Sequence, residues 1–335
     1  MREKQLLLGI SAAIFAAFAW SLNFIAPYVT GAYSIYDLAV CRFMMSGVLG
    51  LAILFALRGR GPRLTFVDWI VAAWLGLIGY VGYFLTIMIA VLYAGPIIPP
   101  AFVALVPVVL AIVANLGSRG IRWRSLALPL VLATTGLLLL NAANILHLAQ
   151  RSAGSTRSIG IGIVFSIAAV SLWTLFGVSN EAALRSRPGM DARIWTALMM
   201  IAGSIEIVAF VPVGLSLGLF RFVQVGFDWN LFWPIFASAL VLAAVGSIGG
   251  SWAWTIASQR LPLGLAGQLI ATETIFATSF GLFAHRRWPT WSEVLGITVL
   301  LIGVVSAIRT FHRQSWTTPK HAGEVLVRVA ENPEG

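Results

Sequence analysis

Apolar residues run in long unbroken blocks along this chain, and short clusters of Arg, Asp, Gly and Pro cut one block from the next. No Asp, Glu, Lys, Arg or His occurs between Asp68 and Arg119. That stretch holds two consecutive helices of the roughly 20 residues needed to cross a hydrocarbon core of about 30 Å. Reading every block in this way predicts ten transmembrane helices, at 6–29, 37–57, 67–94, 97–117, 124–146, 159–183, 192–216, 233–258, 262–284 and 291–309. Only Ala94-Gly95-Pro96 separates the third from the fourth, and Pro99-Pro100 falls in the first turn of the next helix, where a missing N–H is no loss. A tight hairpin is expected there. The first block, Leu6 to Val29, exceeds a signal-peptide core and lacks a clear cleavage site, so it reads as a retained signal anchor.

Composition agrees with the pattern. The chain is 59% hydrophobic and 10% charged, against about 25% charged residues in soluble domains. Its 335 residues accommodate ten spans and short loops but no large appended catalytic domain. The net charge of +10 does not point to nucleic acid, because the basic residues are scattered over loops. They are a topology signal instead. Of 22 Lys and Arg, sixteen fall on the side of the membrane that holds the N-terminus and five on the other, with Arg42 inside a span. This predicts a multi-pass protein of the inner (plasma) membrane with both termini cytoplasmic. Cys41 is the single cysteine and can form no internal disulfide. His147, His285, His312 and His321 lie in loops, at a span end or in the tail, without metal-ligand spacing to a carboxylate, and no Walker-type loop is present. No cofactor, no metal and no enzymatic activity are expected, nor direct drive by ATP.

The second half repeats the first. Sliding the chain by 167 residues lays Gly79 on Gly246, Gly82 on Gly249, Ala90 on Ala257, Ala104 on Ala271, Ser125 on Ser292, Leu128 on Leu295 and Gly136 on Gly303; the first helices align Trp20 on Trp173 at an offset of 153. The difference falls in or near the long connection 216–232, where Phe220, Phe222, Phe227, Trp229, Phe232 and Trp233 suit a membrane interface. Five helices per half force the halves into opposite orientations. The fold class expected is therefore all-α, with ten transmembrane helices as two inverted five-helix repeats and a solute site near the midplane between them. The division is 1–150 for the first repeat, 151–310 for the second and 311–335 for a disordered cytoplasmic tail.

Charges inside apolar spans are rare and mark candidate chemistry. Glu273 stands about 15 Å into its span, near the bilayer centre. It is a candidate for taking up a proton or meeting a substrate amine, the plainer alternative being a bond to a neighbouring helix. Glu206, deep in the seventh span, reads either as an adaptation to substrate or as half of a local pair. Arg42 lies one and a half turns beyond Asp37, close enough to the helix end to snorkel to headgroups; the alternative is a counter-ion for a substrate carboxylate or a Glu. Asp37 and Glu181 fall at span ends and are expected to be solvated. Tyr80 and Tyr83 share a helix face beside Gly76, Gly79 and Gly82. In the matching eighth span Gly246, Gly249 and Gly250 precede Trp252 and Trp254, which cannot both face inward; the register of Gly249 selects Trp252. With Trp20, Asn23 and Trp173 these residues would line a mostly aromatic pocket for a small amphipathic solute.

Several segments together resemble the EamA-type branch of the drug/metabolite transporter superfamily: Ala19-Trp20-Ser21-Leu22-Asn23-Phe24, Cys41-Arg42-Phe43, Leu105-Val106-Pro107 and Thr272-Glu273-Thr274-Ile275-Phe276. The resemblance spans roughly 6–309 and implies a ten-helix exporter or permease of small metabolites, amino acids among them. Two departures stand out. Thr272-Glu273-Thr274 replaces Leu-Glu-Pro, so the kink expected at Pro107 is not expected at its partner. Ser118-Arg119 and His285-Arg286 replace Gly-Glu pairs near the ends of the fourth and ninth helices. The function expected is secondary-active export of amino-acid-like solutes by alternating access, with protons as a candidate coupling ion. An importer, a lipophilic-drug efflux protein and a non-transport receptor or structural protein remain as alternatives. Expected partners are the solute, membrane lipid and protons, in a monomer or a homodimer.

Overall fold

The computed structural model describes residues 2–25, 29–59, 63–94, 98–118, 122–141, 156–284 and 286–317, and these are helical with no strand among them. Nine helices among the described residues are long and apolar enough to cross a membrane. They are α1 (Glu3–Phe24), α2 (Ile35–Ala56), α3 (Phe66–Ala94), α4 (Ile98–Gly117), α5 (Trp123–Leu140), α6 (Ser158–Arg185), α7 (Ala192–Ser216), α8 (Trp229–Arg260) and α10 (Trp291–His312). Between α8 and α10, Leu263–Ile270 and Thr272–Ala284 follow one another with a break at Ala271, and this broken helix is α9. Neither piece is long enough to cross alone.

The helix boundaries have local causes. Ser34 and Asp37 form a reciprocal capping box at the start of α2, and Thr65 and Asp68 form another at the start of α3. Asp191 caps α7 through the Arg193 N–H, and Asp228 caps α8. Inside α3 the ladder widens to a π-helix over Leu77–Val81, and inside α8 over Leu242–Gly249. Helix α4 is interrupted at Ala104–Leu105, just before Pro107, as proline sterics favour. The break in α9 arises without proline: the Thr272 hydroxyl donates to the Leu269 carbonyl at 2.7 Å and ends the first piece. The kink that Thr272-Glu273-Thr274 was not expected to make is therefore present.

Small residues let the helices approach. Ala12, Ala13, Ala16, Ala17 and Ala19 give α1 a small-residue face that is buried against its neighbours. A Cβ added to Gly162 would clash with that of Ala94, and one added to Gly9 would meet the Leu261 side chain at 2.7 Å. The principal contacts are α5 on α10, α2 on α7, α3 on α6, α1 on α8 and α4 on α9.

Polar contacts gather the helix ends into two faces. On the face that holds the start of α1, Arg187 pairs with Asp68 at 2.6 Å, Gln259 donates to the Met190 carbonyl and Arg260 to Gln5. On the opposite face the connection after α7 is tied to α2: Asp37 accepts from the backbone N–H of Arg221 and Phe222, and the Tyr33 hydroxyl donates to the Gly226 carbonyl. Asp37 is thus buried rather than solvated, because it caps its own helix and holds a neighbouring loop at once. Glu181 is half-buried and pairs with Arg185 one turn on. Within that connection Phe222–Val225 is a short helix, Phe220 is buried, and Phe222, Phe227, Trp229 and Trp233 stay exposed, as an interfacial segment requires. The last helix continues to Thr317, so residues 311–317 are helical where a disordered tail was expected. The rest of that tail, the boundary at 150/151 and the Gly95-Pro96 turn lie outside the described residues.

Candidate solute-binding cleft

Three indoles meet at the centre of the bundle. Trp20 of α1 packs edge-to-face on Trp173 of α6 at 5.7 Å between ring centroids, and Trp254 of α8 lies 5.9 Å from Trp20 and 5.4 Å from Trp173. Phe176 extends the cluster to Tyr80, at 6.0 and 5.4 Å. This aromatic layer is buried throughout.

Trp254 takes the place expected of Trp252, which is 41% exposed and faces outward. The register follows Gly250, not Gly249: a Cβ on Gly250 would stand 2.7 Å from the Trp20 Nε1, and Trp254 follows one α-turn later on the same face. Counting steps of 100° through Leu242–Gly249 misplaces the downstream face, because a π-segment absorbs extra residues per turn.

The two sides of the aromatic layer differ in packing. Toward the face with the α1 start, Ile194–Gly203 of α7 and 263–272 of α9 are buried at every position. No side of either stretch is open. Toward the opposite face, residues 82–89 of α3, 101–105 of α4 and 273–278 of α9 are partly exposed at every position. Six consecutive residues sweep all round a helix, so the α3 and α9 stretches are loosely packed on every side, which fits a cleft on the side away from lipid. The cleft is floored by the indoles and sealed beneath them.

Polar groups line this cleft. Arg42 projects from α2 toward the end of α1 and the π-segment of α8, where its Nε donates to the Ser247 hydroxyl at 3.0 Å and one terminal nitrogen donates to the Asn23 carbonyl oxygen. It does not snorkel; two acceptors draw it inward. Tyr80 stands within electrostatic reach of Arg42, and its buried hydroxyl faces that of Ser251. Tyr83, half-buried one turn further along α3, is within reach of Glu273. Glu273 falls in the first turn of the second piece of α9, where free backbone N–H groups favour a carboxylate. It makes no hydrogen bond or ion pair with a described side chain. The four ion pairs among the described residues, Glu181–Arg185, Asp68–Arg187, Asp191–Arg193 and Glu293–Arg287, all lie at helix ends.

Arg42, Asn23 and Tyr80 thus lie in one group beside the Trp20–Trp173 pair, Tyr83 and Glu273 form a second group between α3 and α9, and Glu206 joins neither. Its Oε2 lies buried and unpartnered between α7 and α3, 3.3 Å from where a Gly76 Cβ would stand. Sequence reasoning missed Ser247, Ser251 and Phe176. Ser247 was detectable, since shifting Tyr80 by 167 lands on it.

No known family profile matches the chain. Inner membrane protein YtfF of Escherichia coli (strain K12) is 27% identical over 312 residues, covering 90% of this chain and 95% of that protein. A solved crystal structure, of a protein described only as such, superposes with a TM-score of 0.68 at 18% identity, over 93% of this chain and 100% of the other. That likeness establishes a shared fold alone. Helix content and relative together make this chain an all-helical, multi-pass membrane protein of the inner-membrane type.

Proposed function

We propose that the chain is a secondary-active transporter of small organic metabolites, an exporter of amino-acid-like solutes of the EamA kind, built from two inverted five-helix repeats. The observation that carries this reading is the one-sided cleft: aromatic at its floor, charged on its walls, open toward one face and sealed toward the other. A receptor or scaffold has no need of isolated charges at that depth.

The contacts support the repeat. The 167-residue shift carries the α3 π-segment into that of α8, and the Ala104 interruption onto Ala271. It also carries Ala94 onto Leu261, while the 153-residue shift carries Gly9 onto Gly162, so the Gly9–Leu261 and Gly162–Ala94 contacts are exchange partners. Contacts of α1 with α8 and of α6 with α3 exchange likewise, and the other three pairs map onto themselves. An odd number of spans per half requires the halves to be inverted.

Alternating access also accounts for a group of orphans beneath the floor. Asn180 Nδ2, Thr196 Oγ1, Ser258 Oγ and both amide atoms of Gln268 are buried in the sealed half with no hydrogen-bond partner. Buried polar atoms left unmet cost about 1–3 kcal/mol each. Opening that half to water would satisfy them, which fits a second vestibule facing the other way. The excess of Lys and Arg on the face with the α1 start supports assigning it to the cytoplasm.

Counterflow in liposomes tests the reading: vesicles preloaded with an unlabelled amino acid should accumulate the labelled one above equilibrium. Absence of trans-stimulation across a panel of amino acids and related metabolites would refute export of this class. Reporters on both termini should both read cytoplasmic; opposite readings would break the five-plus-five arrangement.

A further inference from the structure

We infer that Arg42, with Asn23 and Ser247, forms a carboxylate-recognition site, so that the solute is an organic anion or zwitterion with an apolar body. The inference rests on the transporter reading and names the chemistry its substrate must carry.

Arg42 has five N–H groups and spends one on Ser247 and one on Asn23. The remaining three, including both on the second terminal nitrogen, meet no described acceptor, and no described carboxylate pairs with the guanidinium. Both acceptors are neutral and the Phe43 ring, 5.4 Å from the guanidinium carbon, offers only its face, so the fork is oriented without its charge being cancelled. A cation held at this depth without a counter-ion is costly, and a planar fork is matched by two carboxylate oxygens.

Comparison of the two halves shows the charge to be a departure from the repeat. Shifting Asn23 by 153 gives Phe176, and shifting Tyr80 by 167 gives Ser247. Helix α2 maps onto α7 with an offset of 157, which pairs the caps Ser34 and Asp191 and also the touching residues Gly47 and Ser204. Arg42 then corresponds to Met199. Arg42, Asn23 and Ser247 lie on the open side, while their counterparts Met199, Phe176 and Tyr80 are buried in the sealed half and the aromatic floor. The charge is thus particular to the open side, and set beside an aromatic floor it suits a ligand with an anionic head and an apolar tail. Glu273, on the α9 wall, is not paired with Arg42 and remains available to an ammonium group.

The test uses purified full-length protein and four probes that share one body: phenylalanine, phenylalaninamide, 3-phenylpropionate and phenethylamine. Ligand-induced thermal stabilisation should be seen with phenylalanine and 3-phenylpropionate, with apparent affinities at least about tenfold above those of the two probes lacking a carboxylate. Arg42→Gln should erase this preference, and Arg42→Lys should keep only part of it because the fork is lost. Asn23→Ala and Ser247→Ala should narrow the carboxylate-to-amide ratio, a readout that a merely structural role would not move. Equal stabilisation by the amide, no stabilisation by any carboxylate, or an unchanged preference in Arg42→Gln would overturn the inference. Counterflow separates it from the parent reading. Transport indifferent to the carboxylate leaves a transporter without this site, and Arg42-dependent carboxylate binding without counterflow leaves the site without a transporter.

Discussion

Replacing Glu273 with Gln is expected to lower solute accumulation by at least about tenfold and to remove its dependence on a pH gradient, with folding and detergent stability little changed. Glu273 lies in the first turn of the second piece of α9, just after the Ala271 break, among partly exposed positions and within reach of Tyr83. No described side chain bonds to it, so the amide leaves no buried partner stranded and the fold has little reason to suffer. Only a role in binding a proton or an ammonium group makes the substitution severe. Measuring uptake in vesicles with and without an imposed pH gradient separates the cases. Wild-type rates with wild-type pH response would remove Glu273 from the transport cycle.

The second large effect is structural. Gly136→Val should destabilise the protein by about 3 kcal/mol, because overpacking here meets backbone that cannot turn away. A Cβ at Gly136 would lie 2.7 Å from the Leu300 nitrogen and 2.9 Å from the Gly296 carbonyl oxygen, and one at Gly303 would lie 2.9 Å from the Ala133 nitrogen. Helices α5 and α10 are thereby locked at close range along both strips. Gly117→Val is the matched control, since a Cβ there meets nothing within 4 Å. Thermal midpoints in detergent should fall by several degrees for the first and barely move for the second. Equal falls would show that the α5–α10 seam is not what the glycines serve.

The membrane spans were legible in the sequence because lipid imposes one requirement on all of them, a length of apolar residues, and 66–94 or 192–216 satisfy it without ambiguity. Departures within a span were harder to read. Trp254 could not be chosen over Trp252 while α8 was counted as a uniform α-helix, because nothing in Leu242–Gly249 announces a widened ladder. The α9 break was missed for a related reason. Proline is the breaker that sequence advertises, whereas here a threonine hydroxyl takes a backbone carbonyl. Asp37 and Arg42 were misjudged through their neighbours. A residue at a helix end looks solvated until a loop 184 positions away covers it, and an arginine looks free to snorkel until Asn23 and Ser247 hold it. Glu206 was singled out for its rarity inside a span, which does not reveal which helix it faces. Trp20 and Trp173, which the repeat aligns with each other, do touch at the centre of the bundle.

Alternating access is tested most directly by labelling from each side of the membrane. In a Cys41→Ser background, Gln268→Cys lies in the sealed half, while Thr86→Cys and Thr278→Cys lie in the partly exposed stretches of α3 and α9 on the other side of the indoles. With a membrane-impermeant maleimide, the two cleft positions should react from the face opposite the α1 start. Gln268→Cys should react only from the α1 side, and conditions that raise its labelling should lower theirs in proportion. Simultaneous labelling of both halves at full extent, or a Gln268→Cys that stays unreactive under every solute and pH condition while the protein transports, would contradict a cleft that opens first to one side and then to the other.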